Sequence, residues 1–241
     1  MRRELTSISG GPRAARSGIC IGGLQRLSLV DWPGQLAAVV FCQGCGWRCR
    51  FCHNPDLMSF HTPGKYGWEE FLVWLERRRR LLDAVVFSGG EPTLQEGILQ
   101  AVGQARSLGF KVGLHTAGPV PDKFAELLPA VDWVGFDFKA PFSAYSQVTG
   151  HAQGDQARAS LRALRLSGVP CEVRTTWHPR LLSPGDLSEM AASLAELGCS
   201  EWVIQRFSAQ GCDDPDLRTG PVGSVPVDLV DAHGLKILLR A

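Results

Sequence analysis

The sequence lacks the features that mark several classes of protein. No stretch reaches the roughly 18 consecutive apolar residues that a membrane-spanning helix needs. Residues 1–19 contain four arginines but no apolar segment of the kind found in secretory signals. The 25 basic residues nearly balance the 24 acidic ones, so the charge indicates neither nucleic acid nor an anionic membrane as a partner. We therefore predict a cytoplasmic protein with no membrane partner and no nucleic-acid partner.

The sequence also lacks an internal linker, and its length of 241 residues suits one domain with short extensions. Residues 1–19 are rich in Gly, Ser and Arg without any periodicity, which predicts a disordered N-terminal arm. Residues 20–207 carry a regular pattern and are predicted to form the core domain. Residues 208–241 are assigned to the same domain as a C-terminal tail, without a structural assignment.

Short apolar runs alternate with segments of helical periodicity through the core. Trp68, Phe71, Leu72 and Leu75, for example, lie on one face of a helix. This alternation is typical of parallel strands joined by right-handed helical crossovers. Six such units are too few for the eight of a complete barrel. We predict an α/β fold, a partial (β/α)6 TIM-like barrel with parallel strands, and keep an open doubly wound sheet as the other option. The predicted strands are residues 37–41, 85–87, 111–116, 133–138, 171–176 and 202–207.

Polar residues follow the carboxyl ends of these strands, the edge at which such folds build active sites. A cysteine-rich loop follows the first strand, and Ser88-Gly89-Gly90-Glu91-Pro92 follows the second. The next strands end in polar or charged residues in the same way. The residues concerned are His115, Thr116, Asp137, Lys139, Arg174 and His178.

Four of the eight cysteines, Cys42, Cys45, Cys49 and Cys52, fall within eleven residues. In an intracellular chain, such a group is typical of metal binding or catalysis. A zinc site would use all four thiolates, but zinc-binding pairs are usually separated by a dozen or more residues. The alternative takes Cys45, Cys49 and Cys52 as three ligands of a [4Fe–4S] cluster, which leaves one iron open. We favour the cluster, with Cys42 as a buried thiol nearby.

The cysteine pattern, followed by His53-Asn54-Pro55 and then by SGGEP, resembles the radical S-adenosylmethionine superfamily, and within it the glycyl-radical activating enzymes. The resemblance covers most of residues 20–207. The anaerobic ribonucleoside-triphosphate reductase activating proteins are the most similar group. The segments that carry this similarity are SLVDWPG (28–34), SGGEPTLQ (88–95), DFKAP (137–141) and EVRTTWHP (172–179).

The resemblance implies a reaction and a set of roles. Flavodoxin or ferredoxin would reduce the cluster, S-adenosylmethionine would be cleaved to methionine and a 5′-deoxyadenosyl radical, and the radical would abstract a hydrogen atom from a glycine of the reductase. Phe51 would lie against the adenine, and Lys139 would pair with the methionine carboxylate. Arg174 would serve that carboxylate or the ribose. Gly89, Gly90 and Glu91 would receive the methionine amino group.

The sequence departs from the family at one position near the cofactor. Activating enzymes of this type often have Asp before Thr116, where together with Asp137 it can hold a monovalent cation. His115 stands there instead, and an imidazole is a poor ligand for an alkali cation. This departure argues against the cation.

Three alternatives stay open. The partner could be a pyruvate formate-lyase-like enzyme rather than the reductase. The chain could act on a small molecule, like 7-carboxy-7-deazaguanine synthase, although that family tends to have Asp-Thr where this chain has His53-Asn54. It could also be a zinc-binding interaction module without activity. The six units, together with the absence of a second cysteine group, favour a macromolecular substrate.

Overall fold

The computed structural model describes residues 18–220 and 222–240, in which one sheet contains eight strands in sequence order. The first strand is antiparallel to the second, and every later neighbouring pair is parallel. The α/β fold with parallel strands is therefore confirmed. The strands are β1 Ile21–Ser28, β2 Ala37–Cys42, β3 Ala84–Gly89, β4 Lys111–Thr116, β5 Trp133–Asp137, β6 Cys171–Trp177, β7 Glu201–Arg206 and β8 Lys236–Arg240.

The six predicted strands are β2 to β7, whereas β1 and β8 were not predicted. β1 contains two glycines and three exposed residues, so it has no apolar run. β8 lies in the segment 208–241, which had no structural assignment, and pairs with β7. The predicted N-terminal arm lies outside the described residues except for residues 18 and 19.

The helices follow the strands and cover one face of the sheet. Strand residues such as Val85 and Phe87 pack against them in the main hydrophobic core. Ser183 and Asp186 form a reciprocal capping box at the start of one helix. In the described part of the chain, no helix is long and apolar enough to span a membrane. The α-helices are α1 Trp68–Glu76, α2 Ile98–Ser107, α3 Pro121–Leu127, α4 Tyr145–Thr149, α5 Gly154–Ser167, α6 Pro184–Glu196 and α7 Pro215–Arg218.

The loop between β1 and β2 packs against the opposite face of the sheet. Trp32 stacks on Trp133 with 5.5 Å between ring centroids, and both belong to a second, smaller core cluster with Val39 and Val86. A Cβ at Gly113 would lie 2.9 Å from the Trp32 ring, so glycine leaves the room that this ring needs. His115 is two residues further along the same strand and therefore shares its face. The loop between β1 and β2 thus forms an apolar layer below the polar strand ends, and we call this layer the floor.

Candidate active site

The cysteine loop begins at the end of β2 and is held there by the glycine-rich turn after β3. The backbone N–H groups of Gly90 and Glu91 donate to the carbonyls of Cys42 and Gly44, at 2.8 and 2.9 Å. Gly89 has a φ of +104°, and a Cβ there would lie 2.5 Å from the Cys42 nitrogen. A Cβ at Gly90 would clash with the Gly44 carbonyl. The turn therefore lies directly against the loop because two consecutive residues carry no side chain.

The side chain of Glu91 is buried, at 4% exposure, and all its contacts are within the protein. Its carboxylate accepts from the Thr93 and Thr116 hydroxyls, both at 2.7 Å, and from the N–H groups of Thr93 and Ala117, both at 3.1 Å. Burial raises the pKa of Glu91, whereas these donors lower it. Glu91 thus ties the end of β3 to the end of β4, a role that the sequence did not indicate.

The predicted cluster ligands Cys45, Cys49 and Cys52 lie in the loop after β2 and are partly buried. Burial raises the pKa of each thiol, that of Cys45 to about 12, and the Lys139 ammonium lowers it in all three cases. The Lys139 nitrogen also lies 5.2 Å from the centroid of the Phe51 ring. The structure therefore brings Lys139, from the end of β5, against Phe51 in the cysteine loop.

Cys42 lies apart from these three thiols. It is fully buried, and the charges that raise its pKa after burial itself are those of Glu91 and Cys20. In residues 18–220 and 222–240, no three His, Cys, Asp or Glu side chains converge closely enough to hold one metal ion. The four cysteines of the loop therefore do not form a common mononuclear site.

Charged residues at the ends of β5 and β6 form a network next to Lys139. The Lys139 nitrogen lies 3.5 Å from one carboxylate oxygen of Asp137, and Arg174 donates to the other oxygen at 2.8 and 3.0 Å. Burial alone would raise the pKa of Asp137, but Arg174 and Lys139 lower it to about 2. Asp137 is thus an anion that two cations compensate. The absence of an alkali cation here stays a prediction.

His115 extends this network toward the loop between β1 and β2. Its Nε2 lies 2.7 Å from the Asp31 carbonyl, and its Nδ1 lies 3.2 Å from the Ser88 hydroxyl. Burial and the nearby Arg174 charge lower the pKa of His115 to about 3. A neutral ring with a proton on Nε2 donates to the carbonyl and accepts from the hydroxyl. His115 therefore links the β1–β2 loop to the strand ends as a neutral residue.

The remaining predicted residue, His178, lies away from the predicted cofactor-binding residues. Its Nδ1 accepts from the Arg180 N–H at 3.0 Å, and its ring packs edge-on against Phe207. These contacts fix the His178 ring against neighbouring protein groups. Sequence reasoning missed Tyr145, whose hydroxyl accepts from the Lys139 N–H at 3.3 Å.

A cavity of about 420 Å³ opens beside the cysteine loop. It lies between the first half of β1 and the segment that follows Cys52. The residues around it are Gly22, Gly23, Phe41, His53, Asn54, Pro55, Asp56, Leu57, Lys65, Gly211 and Asp213.

Comparisons with known proteins identify the family of this chain. Residues 39–197, about two thirds of the chain, match the model of the radical SAM superfamily. A glycyl-radical enzyme activating enzyme of Methanocaldococcus jannaschii is 29% identical over 210 residues, which is 84% of this chain and 85% of that protein. A pyruvate formate-lyase-activating enzyme of Streptococcus mutans is 30% identical over 210 residues, 78% of this chain and 74% of its own.

The fold also matches solved structures. Streptococcus suis SuiB bound to S-adenosylmethionine gives a TM-score of 0.63 at 14% identity, over 83% of this chain and 48% of that one. A likeness at this identity concerns the fold alone. With the family match and the sequence relatives, it leads to one conclusion: the chain belongs to the radical SAM superfamily and is a homologue of the glycyl-radical activating enzymes.

Proposed function

We propose that this protein generates a glycyl radical on an anaerobic ribonucleoside-triphosphate reductase. The observation that carries the proposal is the position of Lys139 over Phe51 of the cysteine loop, 5.2 Å from the ring centroid, at the carboxyl edge of an open sheet. In the described ranges, β1 and β8 are the two edges of the sheet and do not pair with each other. An open side admits a peptide loop of a large partner.

The donor set of the loop fits a [4Fe–4S] cluster better than a zinc ion. Zinc needs four donors around one centre, with sulfur at about 2.3 Å, whereas the thiolates of a four-iron cluster bind separate irons and stand further apart. The C-x3-C-x2-C spacing of Cys45, Cys49 and Cys52 and the full burial of Cys42 favour the second arrangement. Cys45, Cys49 and Cys52 would hold the cluster, and their raised pKa values mean that assembly releases protons.

When bound, the cluster and S-adenosylmethionine supply one-electron cleavage of the cofactor to methionine and a 5′-deoxyadenosyl radical. The protein contributes orientation and exclusion of water. Lys139 would neutralise the methionine carboxylate, exchanging its long contact with Asp137 for the ligand. Arg174 would stay on Asp137 and keep this carboxylate from repelling the ligand. Phe51, directly before Cys52, would offer its ring to the adenine.

The choice of the reductase as partner is supported by the place of the segment Ser28–Gly34. This segment carries the resemblance to the reductase-activating proteins, and it forms the floor of the site through Trp32 and the Asp31 carbonyl. A substrate loop that enters from the open side would meet this floor. Flavodoxin or ferredoxin is the proposed electron donor.

The experiment is to mix the reduced protein anaerobically with S-adenosylmethionine and the reductase, and to record the electron paramagnetic resonance spectrum. The proposal expects the doublet of a glycyl radical, and expects that Cys45→Ala abolishes it. A pyruvate formate-lyase-like partner is the second candidate because several relatives are named pyruvate formate-lyase-activating enzymes. A doublet with that enzyme alone would reject the reductase and keep the activating reaction.

A further inference from the structure

The tail segment directly after β7 packs on the cysteine loop. We call residues Ser208–Arg218 the clasp. Its first residue offers a carbonyl to His53 Nε2 at 3.0 Å, just beyond the last of the three cysteines. Gly211 has a φ of +79°, and a Cβ there would clash with the His53 carbonyl. The clasp therefore follows the backbone of the loop at van der Waals distance.

The clasp places the Cys212 thiol against the cysteine loop. It is 2% exposed, and its Sγ lies 3.3 Å from the carbonyl oxygen of Arg50, to which the S–H donates. Arg50 stands between Cys49 and Cys52 in the sequence.

An ion pair joins the same two segments on the outside. The Arg50 Nε donates to an Asp214 carboxylate oxygen at 2.7 Å, and its Nη2 lies 3.6 Å from Asp216. The second oxygen of Asp214 accepts from the N–H groups of Asp216 and Leu217, at 2.9 and 3.3 Å. Arg50 is thus held from both ends, at its carbonyl by Cys212 and at its guanidinium by Asp214.

The clasp is itself fixed to the ends of the last two predicted strands. Phe207 lies between the rings of His53 and His178, with centroid separations of 5.8 and 5.1 Å. Arg180 donates to the carbonyl of Asp216. A rigid part of the fold therefore determines where the clasp, and with it the cysteine loop, can lie.

We propose that Cys212 and the Arg50–Asp214 pair are positioning residues, which hold the Cys49–Cys52 part of the loop in its cluster-binding conformation. Cys212 is not a ligand of the cluster. The inference rests on the proposed cluster ligands and assigns a role to a segment outside the matched family region. It gives a role to Asp214 and Asp216, the two acidic residues of the clasp that pair with Arg50.

The test uses the reconstituted full chain with Cys212→Val, Cys212→Ser and Asp214→Asn. The control is Cys199→Val, which removes a half-buried thiol elsewhere. Iron and sulfide analysis should find the wild-type cluster content in every variant. Loss of one buried hydrogen bond should speed amide exchange at residues 50–53 about fivefold in Cys212→Val, while β4 is unchanged. Removal of iron by a chelator should accelerate to a similar extent.

Cys212→Ser keeps a donor and should stay near the wild type, and Asp214→Asn should resemble Cys212→Val. Unchanged exchange and chelation in both Cys212→Val and Asp214→Asn would overturn the inference. Loss of the cluster in Cys212→Val alone would overturn it as well, because Cys212 would then be a ligand. A failure of the proposed ligand set looks different, since Cys45→Ala would then retain a full cluster.

Discussion

Replacing glycines of the turn after β3 should show how firmly it packs on the cysteine loop. Gly89→Ala places a Cβ 2.5 Å from the Cys42 nitrogen and 2.7 Å from the Phe41 carbonyl carbon, at a φ of +104°. The Cβ of Gly90→Ala would overlap the backbone of Gly44 and lie 2.9 Å from the Leu57 carbonyl oxygen. The φ of this residue is not strained. In both cases the neighbour is main chain, which cannot move aside as a flexible side chain would.

Two other glycines distinguish the cost of a left-handed backbone from the cost of steric overlap. Gly109 has a φ of +90° with nothing within 4 Å of its Cβ position, and Gly103 lies in α2 with open space and no unusual φ. Gly103→Ala should stabilise the protein by about 1 kcal/mol through helix propensity. Gly109→Ala should cost about 1 kcal/mol for the left-handed backbone. Gly90→Ala should cost about 3 kcal/mol for overpacking, and Gly89→Ala, which combines both effects, about 4 kcal/mol.

The assay is urea unfolding of the four variants, with the midpoint and slope compared to the wild type. Costs of about 3–4 kcal/mol are a large part of the usual 5–15 kcal/mol of total stability, so the difference is easily measured. If Gly90→Ala costs no more than Gly109→Ala, the turn does not pack on the cysteine loop as described.

The other predictions concern individual side chains of the site. Cys45→Ala should abolish anaerobic 5′-deoxyadenosine formation while Cys42→Ala retains most of it, and equal loss in both would revive the four-cysteine site. Lys139→Ala should weaken S-adenosylmethionine binding about tenfold or more by calorimetry with unchanged iron content, and unchanged affinity would remove it from the cofactor site. Because the pKa of His115 is lowered from 6.5 to about 3, only the unfolded chain binds its proton between these values. The free energy of unfolding should therefore decrease as the pH is lowered from about 6.5 toward 3. This residue contributes up to about 1.4 kcal/mol per pH unit to that decrease. Urea unfolding at several pH values should give a flatter profile for His115→Gln, and an unchanged profile would show that the ring is not buried as a neutral group.

The sequence predicted those strands whose residues are apolar on both faces. β2, β3 and β5 are largely buried, so their apolar runs are visible without any structure. β1 forms one edge, where glycine and exposed polar residues interrupt the pattern, and β8 at the other edge has only three apolar residues between Lys236 and Arg240. Trp32 reads as a loop residue, and only the long-range packing on Trp133 reveals that it forms the floor.

The site was predictable to the extent that it depends on strand ends. Lys139 and the cysteines come from different strands, and the common carboxyl edge of a parallel sheet brings them together. The contacts of Glu91 were beyond prediction because its hydrogen bonds to Thr116 and Ala117 depend on the packing of segments far apart in the chain, which the sequence pattern does not give. The clasp was missed for the same reason, although the acidic residues after β7 were a signal that a basic partner was needed.

Transfer of the hydrogen atom from the partner's glycine tests the central claim most directly. The reductase would be prepared with glycine that carries deuterium at Cα, and incubated anaerobically with the reduced protein and S-adenosylmethionine. Mass spectrometry should find deuterium in the 5′-deoxyadenosine, in proportion to the glycyl radical counted by electron paramagnetic resonance. Cleavage of the cofactor with no deuterium in the product would contradict the proposed reaction.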